Sequence, residues 1–284
     1  MSDDPADRDA DADAASRTND RVEGDADAVR SGDADATSGD SSEPLAGLAD
    51  SMEGFARVVS AVFVTVFALV VASAITGPVS SLAASAGLVS EGTNAWQVLR
   101  TVVQFGGFLL AVLGYLAVTA EWDLVRLDRL SAREAGIVVA AALGLLTLQY
   151  GALFALAEIG VTTGQNQAVV PPGDPATYYL AMIVVSILVV GPVEELLFRG
   201  VVQGGLRRAF DAAPAILLAS LIFGVVHLPA IEGALVERVA YVGVVVLLGC
   251  VLGYLYERTG NVVIPGLAHG AYNAAIYAVL WAGV

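Results

Sequence analysis

Seven long apolar stretches, separated by short polar ones, follow one another along this chain of 284 residues. They run over roughly 55–77, 98–120, 136–158, 178–203, 213–229, 238–257 and 261–283. A helix needs about 20 consecutive apolar residues to cross the hydrocarbon core of a bilayer. Only the fifth stretch falls short of that length. The pattern predicts an all-α fold, a polytopic transmembrane helical bundle of about 7–8 spans. The uncertain eighth is 78–97, where Gly77-Pro78 and a run rich in Ser and Gly predict a half-helix.

Composition agrees with the pattern. The chain is 56% hydrophobic with a mean hydropathy of +0.71, too apolar for a soluble domain. The net charge of −15 is not evenly spread. Residues 1–53 hold 16 of the 29 acids and only 4 of the 14 basic residues. This Asp/Ala- and Ser/Gly-rich segment has no apolar periodicity and no aromatic residue. It is expected to be a disordered acidic cytoplasmic tail. Its acidic start and missing apolar core predict that there is no signal peptide. The acidic balance also offers no surface to nucleic acid. All 14 basic residues are arginine. An acidic tail without lysine fits a halophilic, high-salt cytoplasm, and it fits a GC-rich genome equally well. Cys250, the single cysteine, lies in an apolar stretch as a buried filler.

Arginine placement predicts orientation. Arg126, Arg129 and Arg133 precede the third span, Arg207 and Arg208 follow the fourth, and Arg258 follows the sixth. These positions share one side, which the positive-inside rule assigns to the cytoplasm. The 159–177 loop has no basic residue and is expected outside. The protein is therefore expected in the cell membrane as a multi-pass protein with its N-terminal tail inside.

The polar residues inside the spans carry the chemistry. The chain has two histidines, His227 and His269, both in apolar stretches, and a third stretch holds Glu194, Glu195 and Arg199. An ionisable group at membrane depth costs about 2.5–3.5 kcal/mol on insertion scales. Counted from a turn centred on Asp211, Glu194 and His227 fall at nearly equal depth in an antiparallel hairpin. A carboxylate and an imidazole so placed can share a water molecule. Glu195 and Arg199 are four apart and can pair. His269 and Asn273 are also four apart, on one helix face, and can donate hydrogen bonds to an oxyanion. Gly191-Pro192 and Pro265 are expected to open weak points in their helices beside a wet cavity. Taken one at a time, each feature has a structural reading: an interhelical bond for a histidine, a stabilising pair for Glu-Arg, packing glue for an asparagine. Their convergence in order and depth favours a shared chemical role.

These residues resemble three motifs of one family. Glu194-Glu195-x-x-x-Arg199, Phe223-x-x-x-His227 and His269-x-x-x-Asn273 are similar to those of the CPBP intramembrane endopeptidases, the CAAX-processing and bacteriocin-processing, Rce1-like or Abi group. Phe198-Arg199-Gly200, Phe223-Gly224-Val225-Val226-His227-Leu228-Pro229 and Arg258-Thr259-Gly260-Asn261 add to the likeness. The resemblance covers residues 176–284, expected to be a catalytic transmembrane core, with 54–175 as N-terminal transmembrane helices. It implies hydrolysis of a peptide bond in a membrane-associated protein or peptide, embedded or lipidated and in some relatives a prenylated CAAX protein. Glu194 with His227 would activate water. His269 and Asn273 would form the oxyanion hole. Glu195 and Arg199 would hold the site, with Arg199 also able to meet a substrate carboxylate. The family is often labelled metalloprotease, and Glu194, His227 and His269 are the alternative zinc ligands. The chain lacks H-E-x-x-H, so no cofactor is expected to be required. A transporter or proton relay using the same Glu/His/Arg cluster is the rival reading.

Overall fold

The computed structural model describes residues 42–284, with side chains from Ser51 onward. Most of the expected tail over 1–53 thus lies outside the described residues. Helix α1 spans Ser42–Ser85 and so begins within that segment. Leu45, Leu48, Met52 and Phe55 recur there at helical spacing, a periodicity the composition of the tail conceals.

The other helices are α2 Asn94–Thr119, α3 Ala132–Glu158, α4 Pro175–Leu206, α5 Ala212–Val225, α6 Leu235–Thr259 and α7 Val263–Ala282. Among the described residues seven helices are long and apolar enough to cross a membrane. The chain is an integral membrane protein built as an all-α bundle. No separate half-helix occupies 78–97: α1 continues through Pro78 to Ser85, residues 86–93 form a connection, and α2 begins at Asn94. The Thr76 and Ser80 hydroxyls donate to the Ala72 and Thr76 carbonyls at 2.7 and 2.6 Å, supporting the backbone around the proline.

Helix starts follow local chemistry. Thr93 caps α2 through its hydroxyl, and Ser131 with Glu134 forms a capping box on α3. At α4 the Asp174 carboxylate accepts from the Thr177 amide, and Pro175 fills the first helical position, where no N–H is needed. Bonds from the Thr177 hydroxyl and amide hold the Asp174 carboxyl below its ordinary range. Pro265 likewise sits in the first turn of α7 and breaks nothing, so the weak point expected there is absent. Gly260 ends α6 at φ +64°, a left-handed turn that lets α7 return at once.

α4 lies at the centre of the bundle, touching α1, α2, α5, α6 and α7, while α3 packs on α6 and α7. Phe55, Phe63, Leu82, Leu110, Phe154 and Leu188 point outward and are exposed, as lipid-facing positions must be. A two-residue antiparallel pair, β1 Gln165–Asn166 with β2 Ile231–Glu232, ties the α3–α4 loop to the α5–α6 loop.

The closest packing is between α4 and α7. A Cβ on Gly270 would stand 2.7 Å from the Ser186 oxygen and 2.9 Å from the Ile187 Cα. One on Gly191 would reach the Gly266 oxygen at 2.5 Å and strike the Gly270 nitrogen, and one on Gly266 would reach the Pro192 Cα at 3.1 Å. Backbone meets backbone here, the small-residue contact that lets membrane helices approach closely. Gly191 therefore serves as a packing surface.

Gly270→Val is expected to destabilise the protein by about 1–3 kcal/mol or more, the range for overpacking. Gly144, whose Cβ would meet nothing within 4 Å, is the control site: Gly144→Val should melt within error of the parent. Thermal scans in detergent compare the two, and equal midpoints would refute the close crossing.

Candidate active site

Pro192 has no N–H to give to the turn before it, and the helix answers with wider turns. Residues 186–190 and 196–203 of α4 bond i to i+5. Such π turns are rare and recur at functional sites. They have a geometric effect here. A row of residues spaced by four drifts around an α-helix of 3.6 residues per turn. Turns that hold more residues cancel the drift. Tyr178, Met182, Ser186, Val190, Glu194 and Phe198, each four apart, consequently line one cavity. A second such row, Glu195, Arg199 and Gln203, faces the buried side, and Arg207 continues it to the exposed end of the helix.

The adjacent glutamates thus part company. Glu195 and Arg199 are fully buried and pair at 2.8 Å. The Arg199 guanidinium lies 5.4 Å over the Phe223 ring, a cation–π contact that compensates Nη atoms without hydrogen-bond partners. Gln203 carries the row onward, donating to the Gly253 carbonyl at 3.1 Å and to Glu257 at 3.0 Å. Arg207 completes it with an ion pair to Glu257 at 3.2 Å. Glu194 lies on the cavity side with a side chain 13% exposed.

The glycine crossing inserts His269 between the two carboxylates. Its Nδ1 is 3.0 Å from Glu195 Oε1, and its Nε2 is 3.6 Å from Glu194 Oε2. Glu195, held as a carboxylate by Arg199, can only accept, so Nδ1 of His269 donates. The Nε2 of a neutral His269 is then an acceptor, and it donates only from the imidazolium. His227 stands just past α5, and its Nδ1 lies 2.7 Å from the Phe223 carbonyl. A carbonyl only accepts, so Nδ1 carries the proton, and in the neutral form of the ring Nε2 is then the acceptor. Among the described residues no direct hydrogen bond or ion pair joins His227 to Glu194, although both line the cavity.

The cavity measures about 550 Å³ and is walled by α1–α7, the 166–169 loop and the segment 226–230 after α5. Glu194, His227, His269 and Asn273 all line it, whereas Glu195 and Arg199 do not. Arg199 thus stands behind the cavity wall. The sequence reading missed several lining residues. Gln97, Thr101 and Gln104 form a polar stripe on α2, and Gln149 and Asn166 add two carboxamides. The signal was present as three polar residues at helical spacing in an otherwise apolar span.

The zinc alternative needs Glu194, His227 and His269 to converge. Among the described residues no three His, Cys, Asp or Glu side chains do so closely enough to hold a metal ion. The donors in this arrangement do not fit a zinc site.

With the geometry established, likeness can be judged. Residues 176–275 match the family model described as type II CAAX prenyl endopeptidase Rce1-like. This stretch of the chain is an Rce1-like domain. No curated protein and no solved structure matches the chain. The domain contains every residue of the cluster from Glu194 to Asn273, and it covers α4 to most of α7. The match supports a CAAX-type intramembrane endopeptidase in general, a hydrolase acting on a membrane-associated protein.

Arg199→Met should destabilise the Rce1-like domain by roughly 3–5 kcal/mol, because it leaves the Glu195 carboxylate buried without its partner. The double variant Glu195→Gln/Arg199→Met should recover more than half of that loss in a denaturant titration. A double variant no more stable than Arg199→Met alone would contradict the pairing.

Proposed function

We propose that the protein hydrolyses a peptide bond with a water molecule activated by Glu194 and His227. The observation that supports this most is the cavity wall on which Glu194, His227, His269 and Asn273 converge while the Glu195–Arg199 pair stays behind it. The gap between Glu194 and His227 is filled by water that Glu194 relieves of a proton and His227 Nε2 orients. The hydroxide attacks the substrate carbonyl. The tetrahedral oxyanion accepts hydrogen bonds from the Asn273 amide and from Nε2–H of a protonated His269. Glu194 then passes its proton to the leaving amine, and the C–N bond breaks. Glu195 and Arg199 fix the ring of His269 through Nδ1. The substrate is an embedded or lipidated protein or peptide. The transporter reading gains no support, since the polar groups gather on one cavity within the Rce1-like stretch.

Glu194→Gln should abolish hydrolysis of a quenched peptide while leaving insertion and melting unchanged, because an amide cannot take the proton. Activity within tenfold of the parent at equal membrane protein would remove Glu194 from the base role.

Asn273→Ala should lower kcat by about 10²–10³, the loss typical of one oxyanion donor, with a smaller change in KM. A raised KM at constant kcat would make Asn273 a substrate-binding residue instead.

A further inference from the structure

Arg199 is hydrogen-bonded at one end only. Its Nε donates to Glu195 at 2.8 Å, while among the described residues Nη1 and Nη2 have no hydrogen-bond partner. The side chain is fully buried, so bulk water does not reach it. A buried guanidinium is stable only where acceptors or other negative charge lie close by. Its orientation matters, because Arg199 pairs with Glu195, and Glu195 meets Nδ1 of His269 at 3.0 Å.

Gln203 stands one four-residue step further along α4 and is fully buried as well. Its Nε2 donates to the Gly253 carbonyl at 3.1 Å and to Glu257 Oε1 at 3.0 Å, both on α6. A carbonyl and an ion-paired carboxylate only accept, so these two contacts decide which end of the amide is the nitrogen. The amide oxygen therefore points the other way. A Cβ on Gly253 would stand 2.6 Å from Gln203 Oε1 and 3.4 Å from Arg199 Nη1. Both atoms thus face one small space that the glycine leaves open. Gln203 Oε1 has no donor among the described residues. A buried acceptor lies beside a buried cationic donor, and in a low dielectric the two attract strongly.

The amide is itself anchored. Glu257, which accepts from it, is held by Arg207 Nε at 3.2 Å. Gln203, Gly253 and Glu257 do not line the cavity, and they lie outside the three motifs.

We infer that Gln203 is a positioning residue for the site. Fastened to α6 through Gly253 and Glu257, it presents Oε1 to the far end of the Arg199 guanidinium and thereby fixes Glu195 and the ring of His269. The catalytic consequence rests on the hydrolytic reading above, whereas the placement of the ring does not.

The chain has two histidines, so isotope-labelled imidazole nitrogens give one set of magnetic-resonance signals for each ring. Gln203→Met removes Oε1 at nearly constant volume. Gly253→Ala puts a methyl group against the same oxygen from the opposite helix. Leu206→Ala deletes a fully buried apolar side chain of α4 outside the row, and so reports lost stability alone. Gln203→Met and Gly253→Ala should each move the His269 signals and leave those of His227 in place. They should also lower kcat about tenfold or more with little change in KM, the loss usual when the outer partner of a functional side chain is removed. Leu206→Ala should melt lower, yet leave the His269 signals and kcat nearly unchanged. His269 signals unmoved by Gln203→Met would overturn the inference. Equal movement in Leu206→Ala, or moved signals with an unchanged kcat, would overturn it too. A parent protein that hydrolyses nothing, with His269 still responding to both variants, would overturn the hydrolytic reading and support the placement of the ring.

Discussion

The contact between α4 and α7 without side chains is the constraint on which the site depends. An imidazole can stand between two successive glutamates only if the helices carrying them nearly touch. Gly191, Gly266 and Gly270 permit that approach, and a methyl group at any of the three would meet backbone atoms. His269, beside Gly270, is carried by the crossing to within 3.0 Å of Glu195 and 3.6 Å of Glu194. In lipid no hydrophobic force draws helices together, so such close packing must itself supply the association.

Adjacency of the two glutamates then becomes useful. Successive residues on a helix point in different directions, and the wider turns around Pro192 keep each four-residue row on its own face. Glu195 is turned into a dry layer with Arg199, and its charge is fixed there. Glu194 is turned into the cavity, where it can meet water. In the proposed mechanism two identical side chains thereby divide into a positioning residue and a reacting one. Burial of an ion pair adds little net stability, while the geometry it imposes on His269 serves the chemistry.

Much of this was legible in the chain. The seven spans follow from hydropathy because a bilayer admits few alternatives to the helix. The i, i+4 pairs Glu195–Arg199 and His269–Asn273 follow from helical periodicity alone. Other features were hidden for physical reasons. The role of Gly191 depends on what faces it across the crossing, which hydropathy does not encode. Pro265 looks like a break until the start of α7 is known to lie two residues before it. The donor direction at His269 follows from its contact with Glu195, a partner 74 positions away. Gln97, Thr101 and Gln104 were visible as a stripe, but their meaning required the cavity they face. The onset of α1 at Ser42 was masked by the acidic composition around it.

The central claim is that residues of the chain itself activate the water. Elemental analysis of purified active protein, joined to stripping and reconstitution, tests it most directly. The account predicts well under one zinc ion per active chain, as expected when Glu194 and His227 alone activate the water, and hydrolysis that survives a strong chelator. One tightly held metal per active chain, with activity lost on stripping and restored by zinc, would contradict it and make Glu194, His227 and His269 ligands.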